Sequence, residues 1–254
     1  MAGSNYAGED RPFIAHLLEL RNRLLWCVAA VVGLFLALFP FADWLFTYIA
    51  GPLKAALPEG STIVAISPTA PFLVPMKLAF VSALFLAVPI ILYQVWAFIA
   101  PGLYRHERRM VWPLLVSSTV LFYVGAAFAY FVVFPLVFHF LMSVAPEGVQ
   151  PMTDMGEYLD FITAMFLAFG AAFEIPVATI LLVQTGMVTR QQLREARPYV
   201  IVGAFVVGAI FTPPDVLSQF LLAVPVWLLY ELGIVFSVWM VPSRSDAETD
   251  GEGT

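Results

Sequence analysis

Three acidic side chains lie at positions where the presence of a carboxylate calls for an explanation. Glu174 falls inside a long apolar run, where an unpaired ionised acid costs about 2.5–3.5 kcal/mol on an insertion scale. Glu19 and Glu107 instead lie among basic residues, within the segments His16–Leu24 and Tyr104–Arg109. A carboxylate can form two-pronged, charge-assisted hydrogen bonds to a guanidinium group. These residues could therefore capture a cationic or polar partner.

Each acid also has a plainer interpretation. Glu174 could be a protonated or hydrogen-bonded packing residue instead of a polar site for a partner helix or a transported cargo. Its candidate polar neighbours are Gln94, Thr163 and Gln184. Glu19 and Glu107 could simply pair with neighbouring arginines at the membrane edge. The residues alone leave both interpretations open.

The usual catalytic patterns are missing from the sequence. There is no nucleotide-binding glycine loop and no His-Glu-x-x-His motif. The one cysteine, Cys27, lies inside the first apolar run and excludes an intrachain disulfide. The histidines, His16, His106 and His139, are too scattered in the chain to indicate a metal site. We therefore expect no enzymatic activity, no cofactor and no metal.

The elements that position these residues are membrane helices. Hydrophobic residues make up 61% of the 254 residues and charged residues 12%, far from the averages of soluble proteins. Continuous apolar runs of about 18 residues or more can cross the bilayer as helices. The sequence predicts an all-α polytopic integral membrane protein with six transmembrane helices. The expected spans are about 24–42, 75–100, 110–140, 159–184, 198–212 and 216–238.

Two features predict irregular spans. Proline removes a backbone donor and bends a helix, and it falls inside four spans, at Pro89, Pro135, Pro176 and Pro225. The charge-free windows of the last two spans, Pro198–Pro214 and Val216–Tyr230, are only 17 and 15 residues long. The last two helices are therefore predicted to be short and to form a hairpin. Whether this hairpin crosses fully or is re-entrant stays open.

The basic residues predict the orientation, because short loops rich in Lys and Arg stay in the cytoplasm. Ten of the twelve fall in segments on one side, and only Lys54 and Lys77 fall on the other. The ten are Arg11, Arg21, Arg23, Arg105, Arg108, Arg109, Arg190, Arg194, Arg197 and Arg244. Both termini are thus predicted to be cytoplasmic.

The polar segments outside the spans are of two kinds. Residues 43–71, between the first two spans, contain four prolines and are predicted to form a structured external cap. Residues 241–254 carry four acids in a Gly, Ser and Thr context and are predicted to be a disordered acidic cytoplasmic tail. Residues 1–240 are expected to form a single transmembrane domain.

Three ordered stretches resemble the TatC family closely. They are Phe13–Leu24, Tyr93–Tyr104 running into His106–Arg109, and Phe211–Asp215. The resemblance covers nearly the whole chain. It implies a six-helix protein with a concave, glove-like arrangement that is the core receptor subunit of the twin-arginine protein translocase. Such a protein binds twin-arginine signal peptides and, with TatA and TatB, exports folded proteins across the bacterial inner membrane, driven by the proton-motive force.

The resemblance also implies roles for residues in signal-peptide binding. Glu107 matches the family's first-loop acid, which meets the paired arginines, and Glu19 is an N-terminal acid beside it. Arg21, Leu24 and Phe98 match positions in or near the same recognition patch. We therefore expect these side chains to form one site on the cytoplasmic face.

A second group of residues matches positions expected to serve partner binding or transport. Pro52 matches the proline of the first external loop, Glu174 the intramembrane acid, and Asp215 the acid after the paired prolines. The chain departs from the family at Ser67-Pro68-Thr69-Ala70, where many relatives carry an acid in a Ser-Pro-x-Glu pattern. No role of that acid can be carried over.

Two other classes of function compete with this interpretation. A small-solute transporter usually shows internal repeats with broken helices in matched positions, and none is visible here. A purely structural membrane protein would be favoured if Glu107→Gln left peptide binding unchanged. The expected partners are TatA, TatB, twin-arginine signal peptides, membrane lipid and further copies of the chain, with no nucleic acid.

Overall fold

A computed structural model describes residues 10–56, 63–99, 111–144, 152–211 and 216–240. Helices dominate these ranges. They are α1 (Asp10–Leu38), α2 (Ala42–Ile49), α3 (Gly51–Ala56), α4 (Ala70–Ile99), α5 (Val111–Phe128), α6 (Phe134–Ser143), α7 (Met155–Ala172), α8 (Ile175–Gln184), α9 (Arg190–Glu195), α10 (Arg197–Phe211) and α11 (Val216–Met240). Short strands β1 (Ile63–Val64) and β2 (Thr153–Asp154) pair in parallel, with Ile63 opposite Thr153.

The lengths of the apolar helical segments match a membrane protein. Within the described ranges, five segments are long and apolar enough to cross a bilayer: His16–Ala55, Ala70–Phe98, Trp112–Ser143, Met155–Gln184 and Ser218–Trp239. A sixth apolar helix, α10, is shorter at 15 residues. The predicted all-α, polytopic membrane fold is confirmed.

The last helix corrects one expectation. We predicted a short final helix from the charge-free window that ends at Tyr230, although the expected span ran to about residue 238; α11 continues to Met240 and has 25 residues. Glu231 does not end it, since its carboxylate accepts a hydrogen bond from Arg197 at 2.6 Å. An acid that is paired in this way is tolerated inside an apolar helix. Only α10 is short.

The four prolines expected to bend their spans differ in whether the helix is interrupted beside them. Pro135 follows a π-helical turn, Ala129–Val133, that separates α5 from α6, and Pro176 follows the break between α7 and α8. Both positions therefore interrupt their helix, as predicted. Pro89 and Pro225 instead lie inside the unbroken helices α4 and α11.

Contacts divide the chain into two compact units. Unit 1 comprises residues 1–46 and 75–119, and unit 2 comprises residues 47–74 and 120–254. In unit 1, α1 and α4 run antiparallel. The ring of His16 stacks on Phe98 with centroids 4.3 Å apart, and Phe35 meets Phe80 at 6.0 Å. The start of α1 therefore lies beside the end of α4.

In unit 2, α8 packs tightly on α11. A Cβ added at Gly233 would collide with the Thr179 hydroxyl and lie 3.0 Å from the Pro176 Cα. Only glycine lets the two helices approach so closely. Further contacts pack α10 and the short helix α9 against α11. These helices therefore form a close-packed group.

The end of α2 is hydrogen-bonded to two tyrosines of unit 2, one in the π-helical turn before α6 and one in α7. Tyr130 donates a hydrogen bond to the Tyr48 carbonyl at 3.0 Å, and Tyr158 donates one to the Ile49 carbonyl at 2.7 Å. These carbonyls belong to the last turn of α2, where no intrahelical partner is available. The two tyrosines thus cap α2 from outside. Residues 57–62 of the predicted external cap lie outside the described residues.

Asp154 makes a second connection in the same unit. Its side chain accepts hydrogen bonds from the backbone N–H groups of Gly156 and Glu157, which caps the start of α7. It also accepts one from Ile66 N–H at 3.1 Å. These three bonds lower the pKa of the Asp154 carboxyl, the bond from Ile66 most strongly.

Candidate functional site

A polar groove lies between the start of α1 and the end of α4, inside unit 1. Its volume is about 640 Å³, and its described lining residues are Leu18, Glu19, Asn22, Arg23, Trp26, Tyr93 and Gln94. The α1 members recur at intervals of three or four residues, because that spacing places side chains on one face of a helix. The antiparallel α4 supplies Tyr93 and Gln94 from its last two turns. Glu19 is the acid of the groove.

Glu19 is held by an arginine one turn further along α1. Arg23 donates from Nε to the Glu19 Oε1 atom at 3.0 Å, and its Nη2 atom bonds the same oxygen. Arg23 also donates from Nη1 to the Gln94 amide oxygen at 3.3 Å. Oε2 of Glu19 makes no hydrogen bond to a described residue, so the carboxylate keeps an acceptor for an incoming donor.

This geometry bears on the plainer interpretation of Glu19. The predicted pairing with a neighbouring arginine is present, and the side chains of Arg23 and Glu19 are 23% and 38% exposed. Such partly exposed pairs at i,i+4 are worth only about 0.3–0.5 kcal/mol. A ligand that offers a better-oriented guanidinium group can therefore compete for the carboxylate. Pairing with Arg23 and ligand capture are compatible.

An apolar groove of about 720 Å³ runs along the same two helices. Leu24 and Phe98 both line it, and Arg23 and Gln94 are its polar members. The remaining described lining residues are Leu20, Cys27, Val28, Val31, Val32, Phe80, Leu84, Ile91 and Val95. Residues 20–32 of α1 extend about 18 Å at 1.5 Å per residue. The apolar groove can therefore hold an extended or helical apolar segment of several residues.

The structure brings together some of the predicted recognition residues. Glu19 lines the polar groove, while Leu24 and Phe98 line the apolar groove, and Arg23 lines both. Arg21 is exposed on α1 and lines neither groove. Glu107 lies outside the described residues.

Glu174 lies at a break in unit 2. It is half-buried and is the residue before α8, with its N–H bonded to the Ala171 carbonyl and its carbonyl bonded to the Ala178 N–H. The break places a carboxylate where the helix axis is interrupted by Pro176. Of its candidate neighbours, Thr163 has a buried hydroxyl without a hydrogen-bond partner among the described residues. Gln94 is engaged by Arg23 instead.

Pro52 lies at the start of α3, immediately after the capped end of α2. A proline there costs no hydrogen bond, because the first N–H groups of a helix have no intrahelical partner. The preceding Gly51 lies close to Tyr130, whose hydroxyl would be 3.2 Å from an added Cβ. Pro52 therefore belongs to the tyrosine-capped turn in unit 2. Asp215 lies outside the described residues.

Sequence reasoning missed part of this arrangement. It did not place Arg23, Trp26 or Tyr93 at a site, although the i,i+4 spacing of Glu19 and Arg23 is a readable signal for a pair on one helix. The ion pair between Arg197 and Glu231 joins residues 34 positions apart, and nothing in the local pattern indicates it. Among the described residues, no group of three His, Cys, Asp or Glu side chains could hold a metal ion.

Comparison with known proteins gives a consistent result. The family model described as Sec-independent protein translocase protein (TatC) matches residues 15–225. The TatC protein of Azotobacter chroococcum is 56% identical over 243 residues, covering 96% of this chain and 95% of that protein. The Escherichia coli K12 protein of the same name is 55% identical over 240 residues, covering 94% and 93%.

Solved structures agree with the sequence relatives. A crystal structure of the twin-arginine translocase receptor TatC is similar with a TM-score of 0.79 and 40% identity, over 87% of this chain and 97% of that chain. A second crystal structure of that receptor, in DDM, gives a TM-score of 0.81 at the same identity, over 87% and 99%.

Proposed function

The chain belongs to the TatC family, and from this membership and the two grooves of unit 1 we propose that it is the signal-peptide receptor of a twin-arginine translocase. The chain is thus a multi-pass membrane component of a Sec-independent protein translocase and not an enzyme. In the proposal, the grooves lie at the cytoplasmic face of the bacterial inner membrane, and both termini are cytoplasmic.

The observation that carries the proposal is that the polar groove, which contains Glu19, adjoins the apolar groove at Arg23 and Gln94, which line both. The polar groove offers its carboxylate beside Asn22, Tyr93 and Gln94, and the apolar groove begins at Arg23 and Gln94. A cationic pair followed by an apolar stretch has the matching order of charge and hydrophobicity. The guanidinium groups bind at Glu19, assisted by Glu107, and the apolar stretch lies along Leu24 and Phe98.

Arginine is favoured over lysine by the geometry of the acceptor. A guanidinium group is planar and donates two parallel hydrogen bonds to one carboxylate, whereas an ammonium group acts as a point charge. Since Arg23 already uses Oε1 of Glu19, the incoming guanidinium group displaces Arg23 in order to bind both oxygens of the carboxylate. Arg21, exposed nearby, adjusts the local charge. This selectivity is the expected mechanism of twin-arginine recognition.

The remaining predicted residues are assigned to assembly and transport. Glu174 provides a polar group at the α7–α8 break for a partner helix, and Pro52 shapes the turn that the tyrosines cap. Asp215 adds an acid on the external side. In the proposal, TatA and TatB join this chain and further copies of it to export folded proteins, driven by the proton-motive force.

The test is site-specific photocrosslinking in membranes. A crosslinker at Asn22, which lines the polar groove, is exposed to a signal peptide with paired arginines or paired lysines. We expect the adduct to fall about tenfold or more with paired lysines and with Glu19→Gln, since a hydrogen bond to a charged group contributes about 1.5–3 kcal/mol. A crosslinker at Gln191, exposed on α9, is the matched control and should give no arginine-dependent adduct. Equal adducts with both peptides at Asn22 would refute the proposal.

A further inference from the structure

A second charged cavity lies in unit 2, between the α9–α10 corner and the end of α11. Its volume is about 320 Å³. Arg194 and Arg197 provide its charge, and the other described lining residues are Ile234, Val235, Val238 and Trp239. One wall is therefore basic and the other is apolar. The recognition site in unit 1 uses none of these residues.

The two arginines differ in how they are held. Arg197 donates to Glu231 Oε2 at 2.6 Å, so its charge is fixed in place and largely balanced. Arg194 is exposed, and its side chain makes no hydrogen bond or ion pair with any described residue. The nearby acid Glu195 accepts a hydrogen bond from Gln191 at 2.9 Å. The corner carries three arginines, Arg190, Arg194 and Arg197, against the two acids Glu195 and Glu231, so one positive charge remains, and the exposed Arg194 guanidinium is able to bind an anion.

The corner itself is rigid. Arg190 donates from Nη2 to the Ser237 carbonyl at 3.1 Å, and Tyr230 donates to the Leu193 carbonyl at 2.7 Å. Leu193 is buried in a small apolar cluster with Tyr230 and Ile234. These contacts fix α9 against α11, so the backbone that carries Arg194 is held beside the apolar wall before any ligand arrives.

The position of the cavity along α11 is the one expected of a site for a lipid head group. It is at the end of the membrane-spanning segment Ser218–Trp239, and Trp239 and Tyr199 are 83% and 79% exposed. Exposed tryptophan and tyrosine at helix ends are typical of the membrane–water interface. Val235 and Val238 continue the wall toward the apolar part of α11. A ligand here meets water and arginine at one end and hydrocarbon at the other.

We propose that this cavity binds an anionic phospholipid, with the phosphate at Arg194 and Arg197 and an acyl chain along Val235 and Val238. Basic cavities between membrane helices suit anionic head groups, and a guanidinium group pairs with phosphate through two parallel hydrogen bonds. The apolar wall distinguishes a lipid from free phosphate, which could not use it. The bound lipid bridges α9, α10 and α11 and stabilises their corner.

The experiment measures thermal unfolding of the purified full chain in mild detergent. Phosphatidylglycerol, phosphatidylcholine and inorganic phosphate are titrated separately. We expect phosphatidylglycerol alone to raise the unfolding temperature. Arg194→Gln should raise its half-saturating concentration about fivefold, and Arg194→Lys should raise it less. Lys54→Gln, which removes one positive charge from α3 in the same unit, is the matched control and should respond like the wild type.

Four results would overturn the proposal. An Arg194→Gln curve that overlays the wild type would show that the cavity does not bind the lipid. An equal response to phosphatidylcholine would remove the charge requirement. An equal response to inorganic phosphate would indicate a site for free anions. A response that appears only after Asp246, Glu248, Asp250 and Glu252 are neutralised would show that the acidic tail occupies the cavity. Because the exposed Arg194 side chain makes no hydrogen bond or ion pair with a described residue, its variants should fold normally without lipid.

Discussion

Two ion pairs distinguish the α1–α4 pair from the α10–α11 pair. Glu19 and Arg23 lie one turn apart on the same helix, whereas Glu231 and Arg197 join two helices across 34 residues. A pair within one helix can open without moving any helix. A pair between helices cannot open without loosening their contact. The first pair is therefore suited to ligand exchange and the second to structural support.

The first and last spans also differ in how many of their residues are buried within the chain. In the most apolar stretch of the first span only 6% of residues are buried, against 39% in the last span. The α1 surface is thus left available, with two grooves beside it, while α11 is covered by α8, α9 and α10. In the proposed function, the open α1 surface receives the signal peptide, and the packed group around α11 keeps its arrangement.

The largest expected effect comes from breaking the pair between helices. Arg197→Gln leaves the Glu231 carboxylate without its partner inside an apolar helix, which costs about 1–3 kcal/mol or more. This corresponds to a fall of about 3–10 °C in the unfolding temperature for a chain of this size. Thermal unfolding in detergent without added phospholipid measures it.

The double variant decides whether the pair itself is responsible. Arg197→Gln combined with Glu231→Gln removes both charges and should recover much of the lost stability, because no charge is left unpaired. Glu195→Gln is the control, since its carboxylate bonds only Gln191 among the described residues. A double variant that is less stable than Arg197→Gln would contradict a structural role for the pair.

An intermediate effect is expected at Asp154, which is held by backbone N–H groups instead of an arginine. Its pKa is lowered from the ordinary 3.8, chiefly by the hydrogen bond from Ile66. A lowered pKa in the folded state means that Asp154 stabilises the fold fully above its unfolded pKa. This contribution is lost as the pH falls through the lowered value. The unfolding temperature of the wild type should therefore drop on acidification below about pH 4.

Asp154→Ser isolates this effect. Serine still caps α7 but does not titrate, so the variant should lose less stability than the wild type over the same acid range. The difference between the two pH profiles removes the contribution of every other carboxylate. If the unfolding temperatures of the wild type and the variant fell in parallel with pH, the Asp154 charge would not be what holds β1 beside the start of α7.

Much of the fold was readable from the sequence, because continuous apolar runs and membrane thickness fix where helices lie. Glu231 shows the limit of this reasoning, because the charge-free window stopped at Tyr230 while the expected span to about 238 and the observed helix to Met240 both pass through this acid. A charge ends an apolar window in a one-dimensional scan, but Arg197 neutralises that charge in three dimensions. The short strands β1 and β2 were missed for a similar reason, since two-residue strands carry no periodic signal and depend on a partner 90 residues away.

The candidate site was readable in part. The acids among arginines pointed to Glu19, and the resemblance added Leu24 and Phe98, which the structure places on neighbouring grooves of unit 1. The stacking of His16 on Phe98 and the bond from Arg23 to Gln94 depend on how α1 meets α4. No spacing within one helix encodes such a contact. The sequence therefore identifies candidate polar residues, whereas the packing of α1 against α4 decides which of them come into contact.

The smallest effect on stability is expected where the effect on binding is greatest. Glu19→Gln removes a partly exposed pair on one helix, so the free energy of unfolding should change by only about 0.3–0.5 kcal/mol. Thermal unfolding should then be nearly unchanged, while the signal-peptide adduct falls about tenfold. Arg23→Gln serves as its counterpart: it should cost slightly more stability, because it also removes the hydrogen bond to Gln94 on α4, and it frees Oε1 of Glu19 for the ligand. A large loss of stability in Glu19→Gln would mean that this pair supports the fold as the Arg197 pair does, and the contrast between the two regions would fail.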